Sequence, residues 1–285
     1  MRSIINIIKV LYLPQTHTTR QILHTVAMNP MLQLNNASVT ISPHTILQPT
    51  NLTFEKGIIT TLLGHNGCGK STLMKLLSRQ NTPSQGEVLL EDKAITHFKP
   101  KEFALKVAYL PQHPPVTDGV TVKELVSFGR FPWKGAFGRY TAQDKAFIHE
   151  AIQKVGLEDY QDRFVATLSG GERQRAWIAM LLAQQSECIL LDEPTSALDI
   201  SHQYELLALI RELNQSLGLT VIMVLHDINM AAKFSDHLIA LHSGEVIAQG
   251  SPSEMMKEDT LEKIYGMELA LFQHPTTGQP ISYIP

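Results

Sequence analysis

Cysteine is scarce: Cys68 and Cys188 are the only two in 285 residues. One sits in a glycine loop and the other enters an apolar run, so no disulfide framework exists and a reducing compartment is expected. An excess of positive charge is also missing. The 24 Lys and Arg stand against 27 Asp and Glu, a formal net charge of -3. Without a basic patch to coat a phosphate backbone, nucleic acid is not expected as a partner. Long hydrophobic runs are absent too. No stretch reaches the roughly 18 apolar residues of a membrane helix, so a membrane, if it matters, is expected to come with a partner. There is no internal repeat, low-complexity tract or coiled-coil heptad. "MRSIINIIKVLYL" imitates a signal peptide, but Asn6 and Lys9 interrupt it and no small-residue cleavage site follows. Residues 1–31 are therefore read as a poorly ordered extension, with Met28 an alternative start.

What is present begins with four short apolar runs: "IITTLL" ahead of Gly64, "VAYL" ahead of Pro111 and Gln112, "CILL" ahead of Asp192 and Glu193, and "TVIMVL" ahead of His226. Continuous runs of this length, separated by helical patterns, read as buried strands of a parallel sheet. In such sheets ligands bind beyond the carboxyl ends of the strands, so the polar residues after all four runs are expected to converge on one site. Helices are expected over "KSTLMKLLSR" and over "ERQRAWIAMLLAQ", where Trp177, Ile178, Leu181 and Leu182 share one side as ordinary core packing. Residues 113–167 read as an inserted helical subdomain. Residues 32–56 and 86–97 alternate as a small antiparallel sheet does, and 267–285 form a proline-dotted tail without an assigned role. The fold class expected is α/β, with a mostly parallel core sheet, an antiparallel β subdomain and an inserted α-helical subdomain.

"GHNGCGKST" comprises Gly64, His65, Asn66, Gly67, Cys68, Gly69, Lys70, Ser71 and Thr72, between a strand and a helix. This is the pattern of a phosphate loop: its glycines let backbone N–H groups face a nucleotide's β-phosphate, Lys70 neutralises β and γ oxygens, and Ser71 coordinates Mg²⁺. At the end of "CILL", Asp192 suits holding Mg²⁺ through water, and Glu193, on the other side of the backbone, suits polarising an attacking water. Gln112 and His226, at neighbouring strand ends, are candidate γ-phosphate sensors. A second anion-ready helix start lies in "ATLSGGERQRAWIAM", where Ser169, Gly170 and Gly171 precede a helical run. Two such starts imply either two ligands or one ligand gripped from both sides.

The set "GHNGCGKST", Gln112 in "AYLPQ", "LSGGERQ", "LLDEPTSALD" and "VLHD", in that order, resembles the ATP-binding cassette (ABC) ATPases over residues 32–266. The resemblance implies the phosphate-loop ABC ATPase fold, ATP and Mg²⁺ as cofactors, and a dimer in which the signature of one copy caps the nucleotide held by the phosphate loop of the other. Carried over, Ser169, Gly170 and Gly171 bind the γ-phosphate, Gln112 senses Mg²⁺ and contacts the transport partner, His226 is the switch histidine, and Asp199 links the two sites. Two places depart from the family: Ile41 stands where an aromatic residue commonly stacks on adenine, and Cys68 replaces a common serine. A thiol beside the phosphates is expected to be alkylated unless ATP protects it.

Soluble ABC machines acting on DNA or ribosomes carry long coiled coils or two cassettes, and exporters usually fuse the cassette to membrane helices; this chain has none of these. "SFGRFPWKGAFGRY", "VLHDINMAA" and "LEKIYGM" are similar to the ATPase subunits of ferric hydroxamate siderophore importers. Related cassettes serve vitamin B12, haem, ferric citrate and catecholate siderophore importers. The resemblance implies a separate permease, a periplasmic or lipoprotein siderophore-binding protein acting through it, and a peripheral place on the cytoplasmic face of the bacterial inner membrane. Phe131, Trp133, Phe137 and Tyr140 form either a small cluster inside the helical subdomain or part of the face toward the permease.

Overall fold

The computed structural model describes residues 30–115, 117–135 and 138–285. In chain order the elements are β1 (Pro30–Ile41), β2 (His44–Glu55), β3 (Ile59–Leu63), α1 (Lys70–Leu77), β4 (Gln85–Leu90), β5 (Lys93–Ala94), α2 (Pro100–Ala104) and β6 (Val107–Leu110). Then come α3 (Val122–Phe128), α4 (Phe131–Lys134), α5 (Ala142–Lys154), α6 (Gly170–Gln184), β7 (Cys188–Leu191), α7 (Ile200–Leu217), β8 (Thr220–Val224) and α8 (Ile228–Phe234). The chain ends with β9 (His237–His242), β10 (Glu245–Gly250), α9 (Pro252–Met255), α10 (Glu258–Tyr265), β11 (Ala270–Gln273) and β12 (Pro280–Tyr283). β1 already begins at Pro30 and buries Met31 completely, so the last residues of the expected extension belong to the fold; residues 1–29 lie outside the described residues.

Six strands form the core sheet in the order β10-β9-β3-β8-β7-β6. All neighbouring pairs are parallel except β9 with β10. The strand side chains alternate between two cores, as the pleat requires. Ile59, Leu63, Ile189, Leu191, Val221 and Met223 face the helices of one side, while Leu62, Leu190, Ile222 and Val224 face α1 and the antiparallel sheet β2-β1-β4-β5 of the other. This two-sided burial is why the strands read as unbroken apolar runs. The helical insertion carries α3, α4 and α5, and its core residues Leu125, Val126, Ile148 and Ile152 join Ile178 and Leu181 of α6.

Among the elements that the motifs do not predict, β9 and the C-terminal hairpin bear on the site. β9 adds a fifth parallel strand beside β3, and the C-terminal tail is a hairpin, β11 paired with β12 from Ala270↔Tyr283 to Gln273↔Pro280. Asn229 of α8 holds it: the amide Nδ2 donates to the Ser282 carbonyl at 3.0 Å and Oδ1 accepts from the Ser282 backbone N–H at 2.8 Å. Among the described residues, no helix is long and apolar enough to cross a membrane.

Candidate active site

The phosphate loop joins β3 to α1 and is clamped from two sides. The Gly244 N–H donates to the Cys68 carbonyl at 3.0 Å, and the Gln48 N–H of β2 donates to the Gly244 carbonyl at 2.9 Å. Gly64 opens the loop at φ 138°, and a Cβ there would lie 2.2 Å from the Leu241 carbonyl oxygen, so only glycine fits. Gly69 caps α1 at φ 105° without a side-chain acceptor, leaving the N–H groups of the first turn, through Ser71 and Thr72, open to an anion. Lys70 is buried and its Nζ donates to the carbonyls of Gly64 at 2.7 Å and His65 at 2.9 Å. The lysine thus lies folded over the loop that a phosphate would fill. Asn66, Gly67 and Ser71 form one wall of a cleft of about 350 Å³; Gln112, Glu193 and His226 form the other.

The register of the sheet explains this meeting. Leu110 pairs with Leu191, and Leu191 with Met223, so the chains leave β6, β7 and β8 side by side. Continuing the alternation, Asp192 turns toward α1. Its Oδ1 accepts from Ser71 Oγ and its Oδ2 from Tyr109 Oη, both at 3.4 Å. Burial, then the neighbouring Glu193 charge, raises the Asp192 pKa above its ordinary value. Burial, then the Asp192 charge, pushes the Tyr109 phenol up as well. A hydroxyl and a buried carboxylate side by side are hard oxygen donors of the kind Mg²⁺ takes, and Gln112 adds an amide oxygen nearby, so these residues fit that ion.

Glu193 turns the opposite way. One carboxylate oxygen accepts from Gln112 Nε2 at 2.6 Å and the other lies 2.9 Å from His226 Nε2. Its φ of 51° is unusual for a side chain of this size and marks a strained backbone held by its surroundings. Lys70, Ser71, Gln112, Asp192, Glu193 and His226 are therefore brought together.

Ser169, Gly170 and Gly171 do not wall this cleft. Gly170 lines a neighbouring one with Arg173 and Pro194, sharing Gln112 and Glu193. At the start of α6, Ser169 and Glu172 cap each other: Glu172 Oε2 accepts from Ser169 N and Oγ, each at 2.8 Å, and Ser169 Oγ accepts from the Glu172 N–H at 3.3 Å. Those bonds hold the Glu172 pKa below its ordinary value. The second glycine is explained by a neighbour, because a Cβ on Gly171 would stand 2.9 Å from His202 Cδ2. Asp199 Oδ1 holds that ring through Nδ1 at 2.8 Å and accepts the His202 backbone N–H at 2.9 Å. With the Ser201 hydroxyl added, these bonds bring the Asp199 pKa down to about 2.

One expectation is corrected. Cys68 does not present a thiol to the phosphates: it is fully buried beneath the loop, with Lys70 Nζ 3.8 Å from Sγ. Ile41 is exposed at the end of β1, opposite His44. Phe131 and Trp133 are also exposed, although Trp133 Nε1 donates to the Gln184 carbonyl at 2.7 Å; Phe137 lies outside the described residues. Sequence reasoning missed Tyr109, whose position one residue before Leu110 puts it on the Asp192 side of the sheet. It also missed His202, for which helical spacing from Asp199 was the available signal.

A phosphate loop, an acidic strand end and a glycine-led helix on this sheet define a nucleotide-hydrolysing cassette. The ABC transporter family model matches residues 47–196. The chain is 46% identical over 233 residues to the ferric enterobactin transport ATP-binding protein FepC of Escherichia coli (strain K12), covering 81% of this chain and 86% of that protein. It is 45% identical over 236 residues to the iron(3+)-hydroxamate import ATP-binding protein FhuC of Bacillus subtilis (strain 168), covering 83% and 88%. A dimeric post-hydrolysis state of the ATP-binding cassette MJ0796 bound to ADP and Pi superposes with TM-score 0.68 at 28% identity, covering 78% of this chain and 99% of that one. The chain belongs to the ABC transporter family. It is an ATP-binding subunit that hydrolyses ATP.

Proposed function

We propose that this chain is the ATPase subunit of an importer for an iron(III)-hydroxamate siderophore, driving a separate inner-membrane permease loaded by a siderophore-binding protein. Its hydrolytic unit is a homodimer in which α6 of each copy closes over the phosphate loop of the other. The observation that supports this most directly is the division of labour in one chain. Ser71 at the start of α1 meets Asp192, and Gln112, Glu193 and His226 meet at the neighbouring strand ends, while the glycine-led start of α6 stays off the wall of the cleft between them.

In this reading Lys70 exchanges its two loop carbonyls for phosphate oxygens, and the open N–H groups of α1 take the β-phosphate. Ser71 and Asp192, with Gln112 beside them, would hold Mg²⁺, which when bound would supply neutralisation of phosphate charge. Glu193 orients and polarises the attacking water, and its contacts with Gln112 and His226 keep its carboxylate aimed at the cleft. His226 Nε2 contacts the γ-phosphate. Gly170 and Gly171 of the second copy present N–H donors where negative charge develops, and Ser169 adds its hydroxyl by exchanging the bond to Glu172. The exposed Phe131 and Trp133 lie on the helical insertion and suit contact with the permease.

The test is Glu193→Gln, which keeps shape and removes charge. It should bind ATP and sediment as a dimer with ATP while hydrolysis falls by about 100-fold or more. Monomers alone under those conditions, or near-normal hydrolysis, contradict the reading. For the cargo, proteoliposomes with candidate permeases should show ATPase stimulation by a binding protein loaded with ferric hydroxamate. Stimulation only by haem, vitamin B12, ferric citrate or a catecholate would reassign it.

A further inference from the structure

The strand end that carries His226 is tied to the C-terminal part of the chain. His226 follows β8 on the short connection into α8, with Leu225 bonded through its N–H to the Leu62 carbonyl at 3.2 Å. Behind it Asp227 caps α8 by accepting the Met230 N–H at 2.8 Å. The His226 peptide itself is reached from outside this connection: Tyr265, the last residue of α10, donates its hydroxyl to the His226 carbonyl at 3.3 Å. Burial, and then the Asp227 charge, pushes the Tyr265 phenol up to about 12, so it remains a donor at any working pH.

One turn along, Asn229 adds the second tie. Its side-chain amide does what a neighbouring strand's peptide would do: Nδ2 donates to the Ser282 carbonyl at 3.0 Å, and Oδ1 accepts the Ser282 N–H at 2.8 Å and its hydroxyl at 3.2 Å. Three bonds to one buried residue fix the roll of α8 as well as its distance. Apolar contacts support the arrangement, since Ile228 and Ala231 of α8 share a core with Leu261 and Ile264 of α10 and with Leu271 of β11. A two-stranded hairpin is marginal in water by itself. Its order therefore comes from docking on α8 and on α10, whose Glu258 Oε1 accepts the Leu271 N–H at 3.2 Å, and the contacts with Asn229 restrain α8 in return.

We propose that Tyr265 and the β11–β12 hairpin, acting through the His226 carbonyl and Asn229, form a positioning brace that sets the reach of His226 toward Glu193 and the γ-phosphate. The proposal rests on the reading of His226 as a γ-phosphate contact. Small displacements of a catalytic group are costly, with about 1 Å worth on the order of 100-fold in rate. The brace consequently acts on turnover and not on ATP capture, because the phosphate loop is held separately by β2 and the turn at Gly244.

The test uses the full chain carrying Tyr265→Phe or Asn229→Ala, with kcat, KM for ATP and melting temperature measured together. Asn229→Ala should lower kcat by about five-fold or more, and Tyr265→Phe by about two-fold or more, with KM for ATP changed less than about two-fold in both. Melting temperatures should stay within about 3 °C of the parent. Unchanged kcat in both variants overturns the brace, as does a loss of kcat matched by a rise in KM and a collapse of melting temperature. Should Asn229→Ala fail to fold, Tyr265→Phe, which removes one oxygen atom, decides alone. His226→Ala separates the two layers. Full hydrolysis by that variant removes the reading of His226, whereas loss there with normal rates in both brace variants removes only the brace.

Discussion

Cys68 shows how one side chain can sit in the phosphate loop and stay out of its chemistry. Its Sγ points beneath the backbone toward Gly64 and Lys70 while its carbonyl accepts from Gly244. Alkylating reagents in native buffer should leave it unmodified over the time in which a denatured sample reacts completely, with or without ATP; rapid native labelling measured by mass would contradict this burial. Lys70→Ala removes the cation that folds over the loop and should abolish measurable ATP binding in a fluorescent-nucleotide titration, a loss of about 100-fold or more. Gly171→Ala works at the other helix start. The new methyl displaces the His202 ring that Asp199 holds, so hydrolysis should fall by about ten-fold or more while ATP binding to the same chain is retained. Equal losses of binding and hydrolysis would contradict the separation of the two anion sites.

At the scale of elements, the helical insertion is fastened to α6 by a buried pair. Arg130 Nε donates to Asp144 Oδ1 at 2.8 Å, and its guanidinium also donates to the Ala183 carbonyl at 2.8 Å. The Thr141 hydroxyl and N–H, and then Arg130, bring the Asp144 pKa down from 3.8 to about 2. A carboxylate lowered on folding contributes stability that is complete above its unfolded value, near pH 4, and is lost as the pH falls through about 2. Melting temperature followed from pH 5 to 2 should drop more steeply in the parent than in Asp144→Asn. At neutral pH the variant should be less stable by about 3 kcal/mol, the cost of leaving Arg130 without its partner; parallel pH profiles would contradict the assignment.

The same scale shows what could be read from the chain beforehand. Strands β3, β6, β7 and β8 were legible because both faces are buried, which makes each a continuous apolar run, and each ends in residues with recognisable chemistry. β9 is equally buried, but it ends in His242 and a turn instead of a catalytic motif, so nothing drew attention to "HLIALH". The hairpin at the C-terminus was illegible for a different reason. "ALFQ" and "PISY" carry no strong alternation, and what orders them is distant in sequence: the Asn229 amide, 53 residues from Ser282, and the α8–α10 core on which Leu271 packs. Long-range side-chain bonds of this kind leave no local pattern. The site residues at the strand ends could be listed from the motifs, yet the contacts of Tyr109 with Asp192 and of His202 with Gly171 needed the register of the sheet and the crossing of α6 and α7.

For the whole molecule, the proposed homodimer places hydrolysis in a pair of chains. The phosphate-loop cleft of one chain is walled by Glu193 and His226 and not by Ser169, Gly170 or Gly171; in the proposed homodimer those three act on the nucleotide held by the other copy. The solved MJ0796 cassette, a dimer bound to ADP and Pi, shares this fold. The most direct test is specific ATPase activity measured against protein concentration, with sedimentation reporting the monomer fraction in the same buffer and ATP. Activity per chain should rise with concentration in step with the dimer fraction and vanish where only monomers sediment. Constant activity per chain down through the monomer range would contradict it.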